Sequence, residues 1–388
     1  MAIDTPPLMP FRESRTAKWI TALSAFALPL LGTELILRVA GVAPLGHFDF
    51  LLPTEGGGLY RPGVTIENDW GVLPYTVETN AMGFRGTGSE RAMPLPRKRI
   101  VAIGDSVTEG YFVDNDGTYP YRLQRLLDRD HDGEYEVINA ARGRATIDKE
   151  LALLEQVVLP LKPQVVILTF VTNDLPELAG KQPAEILNQR VKVHHKNVPR
   201  GERAAVWWIT ETAVGEAAFR LYLRLAAKEG SLPVDSASEV PTDERYEIEG
   251  AANFRRNAAI FLRRNPREVP VLAERLSPRV QQLLRRYLLG LDEFVATCRG
   301  NDIEPLFVYF PAYPQVYDVR MPRTIQQLLA SNCRRLGIPF LDLTPALRRA
   351  ASERILYLAP LDYHVNPAGN QAIAEAIYAF LRERALVG

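Results

Sequence analysis

Ser106, His364 and Asp362 are the side chains in this sequence best suited to covalent chemistry. Ser106 closes the run Ile100-Val101-Ala102-Ile103-Gly104-Asp105-Ser106. A serine directly after a buried strand lies at the carboxyl edge of a sheet. With a base beside it, its hydroxyl can attack an acyl carbon. The motif is not Gly-x-Ser-x-Gly, because Val107-Thr108 follow the serine. The same serine also reads as a helix cap. Of His47, His131, His194, His195 and His364, only His364 closely follows an acidic residue and precedes a helix start. The stretch is Asp362-Tyr363-His364-Val365-Asn366-Pro367-Ala368-Gly369, with Asn366 as cap and Pro367 in the first turn. Asp362 can accept the Nδ1 proton and leave Nε2 facing the serine. The bland reading is a surface histidine near a cap. His194-His195 reads as a solvated loop, since adjacent ligands lack a third partner.

Two further groups could oppose negative charge. Asn173 ends the apolar run Val165–Val171, in Phe170-Val171-Thr172-Asn173-Asp174, and its carboxamide can donate to an oxyanion. Gly143 follows the run Tyr135–Ala140, and no side chain blocks approach to its N–H. Alone, each reads equally as a turn residue. Together, Ser106, Gly143, Asn173 and His364 fall at the carboxyl ends of successive parts of one sheet.

The elements that must hold them start at Arg99. Apolar runs at Ile100–Ile103, Tyr135–Ala140, Val165–Val171, Pro305–Phe310 and Pro339–Leu343 alternate with helical periodicity. The helical stretches are Tyr119–Leu127 and about 146–158, 279–298, 323–336 and 368–384. Such alternation predicts an α/β fold: a three-layer α/β/α sandwich around a five-stranded parallel sheet ordered 2-1-3-4-5. Ligands in such sheets bind beyond the carboxyl ends of the strands.

Three domains are expected: 1–42, 43–95 and 96–388. Residues 43–95, rich in Gly and Pro, read as an extended connector with short strands. Within them Thr79-Asn80-Ala81-Met82-Gly83-Phe84-Arg85 reads as a turn with a buried aromatic. Residues 176–278 break the alternation and read as a helical insertion that shapes the substrate site. Its Trp207 and Trp208 read as buried on an apolar stripe. Nine arginines between Arg255 and Arg286 read as a solvated helix face.

Trp19–Leu37 is nearly all apolar, with Glu34 its one charge. As a helix it is about 28 Å long, close to the hydrocarbon thickness of a bilayer. Arg12, Arg15 and Lys18 precede it. This predicts an uncleaved single-pass anchor with a cytoplasmic N-terminus and an extracytoplasmic catalytic domain. Glu34 and Arg38 can pair at its outer end. Lys+Arg and Asp+Glu are 46 each, so no basic excess suggests nucleic-acid binding. Cys298 and Cys333 lack metal-ligand spacing and read as two free thiols. No cofactor or metal is expected.

On these residues the chain resembles the SGNH/GDSL hydrolase family, in its bacterial membrane-anchored form. Gly104-Asp105-Ser106 matches the first block, Gly143 the second, Thr172-Asn173-Asp174 the third, and Asp362 with His364 the last. The similarity runs from about Arg99 to Leu381 outside the insertion. It implies a flavodoxin-like sheet and no metal. It also implies Ser106 as nucleophile, with Ser106 N–H, Gly143 N–H and the Asn173 side chain as the oxyanion hole. Two positions depart from the family. Val171 stands where a glycine is usual, and Leu361 stands where the family's Asp-x-x-His has its aspartate. The expected activity is an extracytoplasmic serine esterase acting on acylated carbohydrate, envelope polymer or lipid. The alternatives are an O-acetyltransferase for an envelope glycan, or a non-catalytic envelope assembly or binding protein.

Overall fold

A computed structural model of the chain describes residues 15–40, 60, 62–68, 75–87, 98–179, 212–215, 217–218, 251–359 and 362–388. Trp207, Trp208, His47, His194, His195 and most of the expected insertion lie outside the described residues. The chain divides into two compact units, residues 1–48 with 187–222 and residues 49–186 with 223–388.

The larger unit is built on five parallel strands: β3 (Lys98–Ile103), β4 (Tyr135–Asn139), β5 (Val165–Phe170), β6 (Glu304–Tyr309) and β7 (Phe340–Asp342). Their spatial order is β4-β3-β5-β6-β7, the expected 2-1-3-4-5. Parallel neighbours need crossovers, and the crossover helices cover both faces of the sheet. Successive strand residues therefore alternate between two cores. Ile100, Ala102, Val165, Ile167, Leu306 and Val308 join one core. The helices Tyr119–His131 and Pro367–Glu383 supply its other wall through Leu123, Leu127, Ile373 and Ile377. Val101, Ile103, Val166, Leu168 and Phe307 join the other. There the helices Pro278–Arg299 and Thr324–Leu336 supply Leu284, Leu291, Ile325 and Leu329.

Helix starts follow their local signals. Asn366 accepts the Gly369 N–H at 2.9 Å, with Pro367 in the first turn. Ser277 caps the Val280 N–H ahead of Pro278. The helix expected over 146–158 is α-helical over Ile147–Leu153 and continues as a wider π-helical turn over Leu154–Val158. The short helices Tyr313–Tyr317 and Thr344–Ala351 are additional to the periodic stretches. Cys298 and Cys333 are buried free thiols, and burial pushes each up to about 12.

The connector contributes an antiparallel pair, β1 (Thr65–Asn68) with β2 (Tyr75–Glu78), placing Thr65 opposite Glu78. The expected turn follows. The Asn80 side chain accepts the N–H groups of Met82 and Phe84 at 2.9 and 3.0 Å, and Phe84 is buried. Arg85 then bridges to Asn139 at the end of edge strand β4.

In the smaller unit, Arg15–Val39 forms a 25-residue helix. Arg38 and Glu34 pair at 2.7 Å, as expected. Among the described residues, however, no helix is long and apolar enough to cross a membrane. Glu34 is the one charged residue within Trp19–Leu37. Glu34 is also more than a terminal charge, because it accepts the N–H groups of Ala213 and Val214 at 3.0 and 2.9 Å.

One buried acid yields a stability prediction. Glu150 is fully buried, and neither carboxyl oxygen has a hydrogen-bond partner among the described residues. Burial, and then the charge of Asp105, raises its pKa well above 4.5. Folding therefore favours the protonated form. Its contribution to stability is complete below the ordinary carboxyl range and is lost as pH rises toward the folded value. Glu150→Gln, neutral at every pH, should gain thermal stability over wild type between pH 5 and pH 8. Parallel melts at the two pH values check this; a constant difference would refute it.

Candidate active site

Gly104 lets the chain turn tightly out of β3. A Cβ there would lie 2.4 Å from Thr108 Oγ1 and 3.3 Å from Thr169 Cβ. Asp105 follows and accepts the Val107 N–H at 2.9 Å, capping the single-turn helix Ser106–Glu109. Ser106 thus occupies the first position of that helix, at the carboxyl edge of the sheet.

His364 reaches this edge from the loop before helix Pro367–Glu383. Its Nε2 is 2.8 Å from Ser106 Oγ. Its Nδ1 is 2.5 Å from Asp362 Oδ1. The same carboxylate oxygen accepts the His364 backbone N–H at 2.7 Å. A two-residue spacing lets one oxygen fix both backbone and ring, which accounts for the departure from Asp-x-x-His. With Nδ1 protonated toward Asp362, the Ser106 hydroxyl donates to Nε2. Such a chain can move a proton off the serine as its oxygen attacks.

The oxyanion candidates are placed differently from one another. Asn173 Nδ2 donates to Asp105 Oδ2 at 3.1 Å, and that oxygen is 3.5 Å from Ser106 Oγ. A carboxamide carries two hydrogens, so one is held by Asp105 and the second remains for a substrate. Gly143 is close-packed, since a Cβ there would lie 2.0 Å from the Tyr111 hydroxyl. Its single N–H donates to the Glu109 carboxylate. The expectation that this N–H is open to substrate is corrected for this conformation. Val171 is absorbed into a core with Val107 and Phe310.

Several residues around the site carry little signal in the sequence. Arg85 is fully buried and donates to the carbonyls of Glu109 and Gly110 at 2.9 and 2.7 Å, and to that of Val113. It thereby ties the loop behind the serine to the connector. Its only sequence signal is its place at the end of the Asn80–Arg85 turn. Tyr111 stacks on His364 with centroids 5.5 Å apart, and Phe112 meets the same ring edge-on at 5.3 Å. Phe112 has φ 63°, a left-handed conformation that is costly for a bulky residue. Tyr75 of β2 braces it at 5.8 Å. From within the span expected as the insertion, Glu268 accepts the Thr172 hydroxyl at 2.6 Å. Burial pushes Glu268 up to about 7. Of the arginine cluster, Arg267 and Arg286 donate to the carbonyls of Pro176 and Leu178 rather than standing free.

The charges around His364 set a pH expectation. Burial is the largest single influence and lowers its pKa, but the Asp362 carboxylate, together with the charges of Asp105 and Glu268, outweighs it, and the net shift is upward from 6.5. A general base works only when unprotonated. The acid limb of kcat/KM should therefore lie above 6.5. Asp362→Asn should move that limb toward acid and lower kcat by about 10⁴-fold, through loss of the correct tautomer. Because Glu268 titrates nearby, the pH profile is best read in a Glu268→Gln background as well. An unmoved limb in Asp362→Asn would contradict the assignment.

Among the described residues, no group of His, Cys, Asp and Glu side chains could hold a metal ion. Comparison with curated proteins finds no match. Among solved structures, the acetyl xylan esterase AlAXEase is 14% identical, aligned over 73% of this chain and 99% of that one, at a TM-score of 0.39. TesA is 13% identical over 74% and 99%, at 0.40. Axe2, an acetylxylan esterase from Geobacillus stearothermophilus, is 15% identical over 75% and 96%, at 0.38. The family model described as "GDSL-like Lipase/Acylhydrolase family" matches residues 102–372, a span that contains Ser106, Gly143, Asn173, Asp362 and His364. The chain therefore belongs to the GDSL-like lipase/acylhydrolase family and is an SGNH-type hydrolase.

Proposed function

We propose that this hydrolase cleaves carboxylic esters through an acyl-Ser106 intermediate. The observation that carries the reading is the continuous chain Ser106 Oγ, His364 and Asp362, at 2.8 and 2.5 Å. Ser106 Oγ attacks the ester carbonyl carbon as its proton passes to His364 Nε2. The C–O bond to the alcohol then breaks, and the imidazolium returns the proton to the departing oxygen. Water repeats the sequence on the acyl-serine and frees the acid. Asp362 holds the imidazole tautomer and offsets the imidazolium charge. The Asn173 carboxamide and the Ser106 N–H oppose the charge on the tetrahedral oxygen, joined by the Gly143 N–H when Glu109 yields it.

The substrate is read as an acyl ester of carbohydrate, envelope polymer or lipid, met outside the cytoplasm. Support for that location is Arg15 and Lys18 in the first turn of the helix Arg15–Val39, ahead of its apolar stretch, and the exposure of Leu28, Leu31, Leu35 and Ile36 along it. Incubation with p-nitrophenyl esters of graded length and with acetylated oligosaccharides tests the activity. Free acid should appear from at least one class and vanish in Ser106→Ala. An acetylated acceptor glycan, in place of free acid, would instead identify a transferase. Folded protein that releases nothing and transfers nothing would overturn the reading. Membrane fractionation with protease accessibility tests the location.

A further inference from the structure

Glu109 is buried, at 3% exposed, and the proton chain through His364 does not use it. Both of its carboxylate oxygens are engaged. One accepts from the Tyr60 hydroxyl and the other from the Gly143 N–H. A peptide N–H has one hydrogen. It cannot serve Glu109 and a tetrahedral oxyanion at the same time, whereas Asn173 has a hydrogen to spare. Gly143 is also confined by Tyr111, so its peptide has little room to turn and offer the N–H elsewhere.

The second partner of Glu109 belongs to the connector. Tyr60 is nearly buried, and the Arg142 guanidinium lies over its ring, 4.0 Å from the centroid. Burial, and then the Glu109 charge, raises the Tyr60 phenol well above its usual value, so it remains a donor across the working range. Arg85 pins the Glu109 carbonyl from the same connector. The carboxylate is thus held in place from outside the catalytic sheet.

We propose that Glu109 is a positioning residue that occupies the Gly143 N–H in the resting enzyme, and that Tyr60 holds it there, so that the connector sets how often the third oxyanion donor is available. The inference rests on the proposed esterase chemistry. Activity scales with the fraction of molecules in the competent arrangement. Weakening the hold on Glu109 therefore raises turnover, an effect that a merely structural role does not produce.

The test uses the full chain carrying Tyr60→Phe or Glu109→Gln, each nearly isosteric. The readouts are kcat/KM for p-nitrophenyl acetate, the rate of Ser106 labelling by a fluorophosphonate, and thermal melting. Tyr60→Phe removes one hydrogen bond to a charged group and should raise kcat/KM and labelling by about tenfold. Glu109→Gln replaces the charged acceptor with a weaker neutral one and should raise both as well. A fall or no change in both variants, at unchanged melting, overturns the inference. Asn173→Ala is assayed beside them to separate the two claims. Active wild type with an impaired Asn173→Ala and unresponsive Tyr60 and Glu109 variants sinks only the role of Glu109. Wild type that neither hydrolyses nor labels sinks the esterase reading, and this inference with it.

Discussion

His364→Ala is expected to lower kcat by about 10⁶-fold, with KM little changed and the fold intact. The size follows from the geometry. A serine hydroxyl is a weak nucleophile, and its attack needs a base within hydrogen-bond reach. His364 Nε2, at 2.8 Å, is the one ring nitrogen bonded to Ser106 among the described residues. Asp362 already takes Nδ1, so no second tautomer is on offer. Ser106→Ala should fall equally far. The double variant should fall no further, because the two residues act as one unit. The imidazole is partly exposed and lies outside the two main cores, so its removal leaves the sheet packing untouched. Steady-state kinetics with melting controls decides this. Additive losses in the double variant would mean that the hydroxyl and the imidazole act separately.

Asn173→Ala should cost about 10²- to 10³-fold in kcat, equivalent to losing one preorganised oxyanion donor. The side chain is held ready by Asp105, which accepts one amide hydrogen at 3.1 Å. Asp105 in turn caps the nucleophile helix through the Val107 N–H. Asn173 and the helix that begins at Ser106 therefore share one carboxylate, which on the proposed mechanism would hold donor and nucleophile in place before reaction. Asn173→Asp should fare worse than alanine, since it sets a second carboxylate beside Asp105 and the developing oxyanion. A loss in KM alone, with kcat preserved, would assign Asn173 to ground-state binding instead.

Local signals make part of the site legible in the amino-acid sequence. Ser106 follows a buried strand, and His364 precedes a capped helix start; strand exit and helix entry are short-range features. The strand order follows from alternation and the handedness of crossovers. The less legible parts depend on segments that meet only in space. Tyr60 and Glu109 are 49 positions apart with no shared periodicity. Arg85 is visible as the end of a turn, but most of its hydrogen bonds go to backbone carbonyls, which no residue type announces. The commitment of the Gly143 N–H is hidden for the same reason. The helix Thr344–Ala351 is only eight residues long, too short for its period to stand out. At the other end, a long apolar run suggests a membrane span, and nothing in its own composition reveals that Glu34 receives two N–H groups from distant Ala213 and Val214.

The most direct test of the catalytic assignment is the intact mass of the protein after exposure to a fluorophosphonate, with the adduct mapped to a peptide. One phosphonyl group on Ser106 is expected in wild type, none in Ser106→Ala, and labelling slowed by several orders of magnitude in His364→Ala. Well-folded wild type that stays unlabelled, or carries its adduct on another residue, would contradict the account.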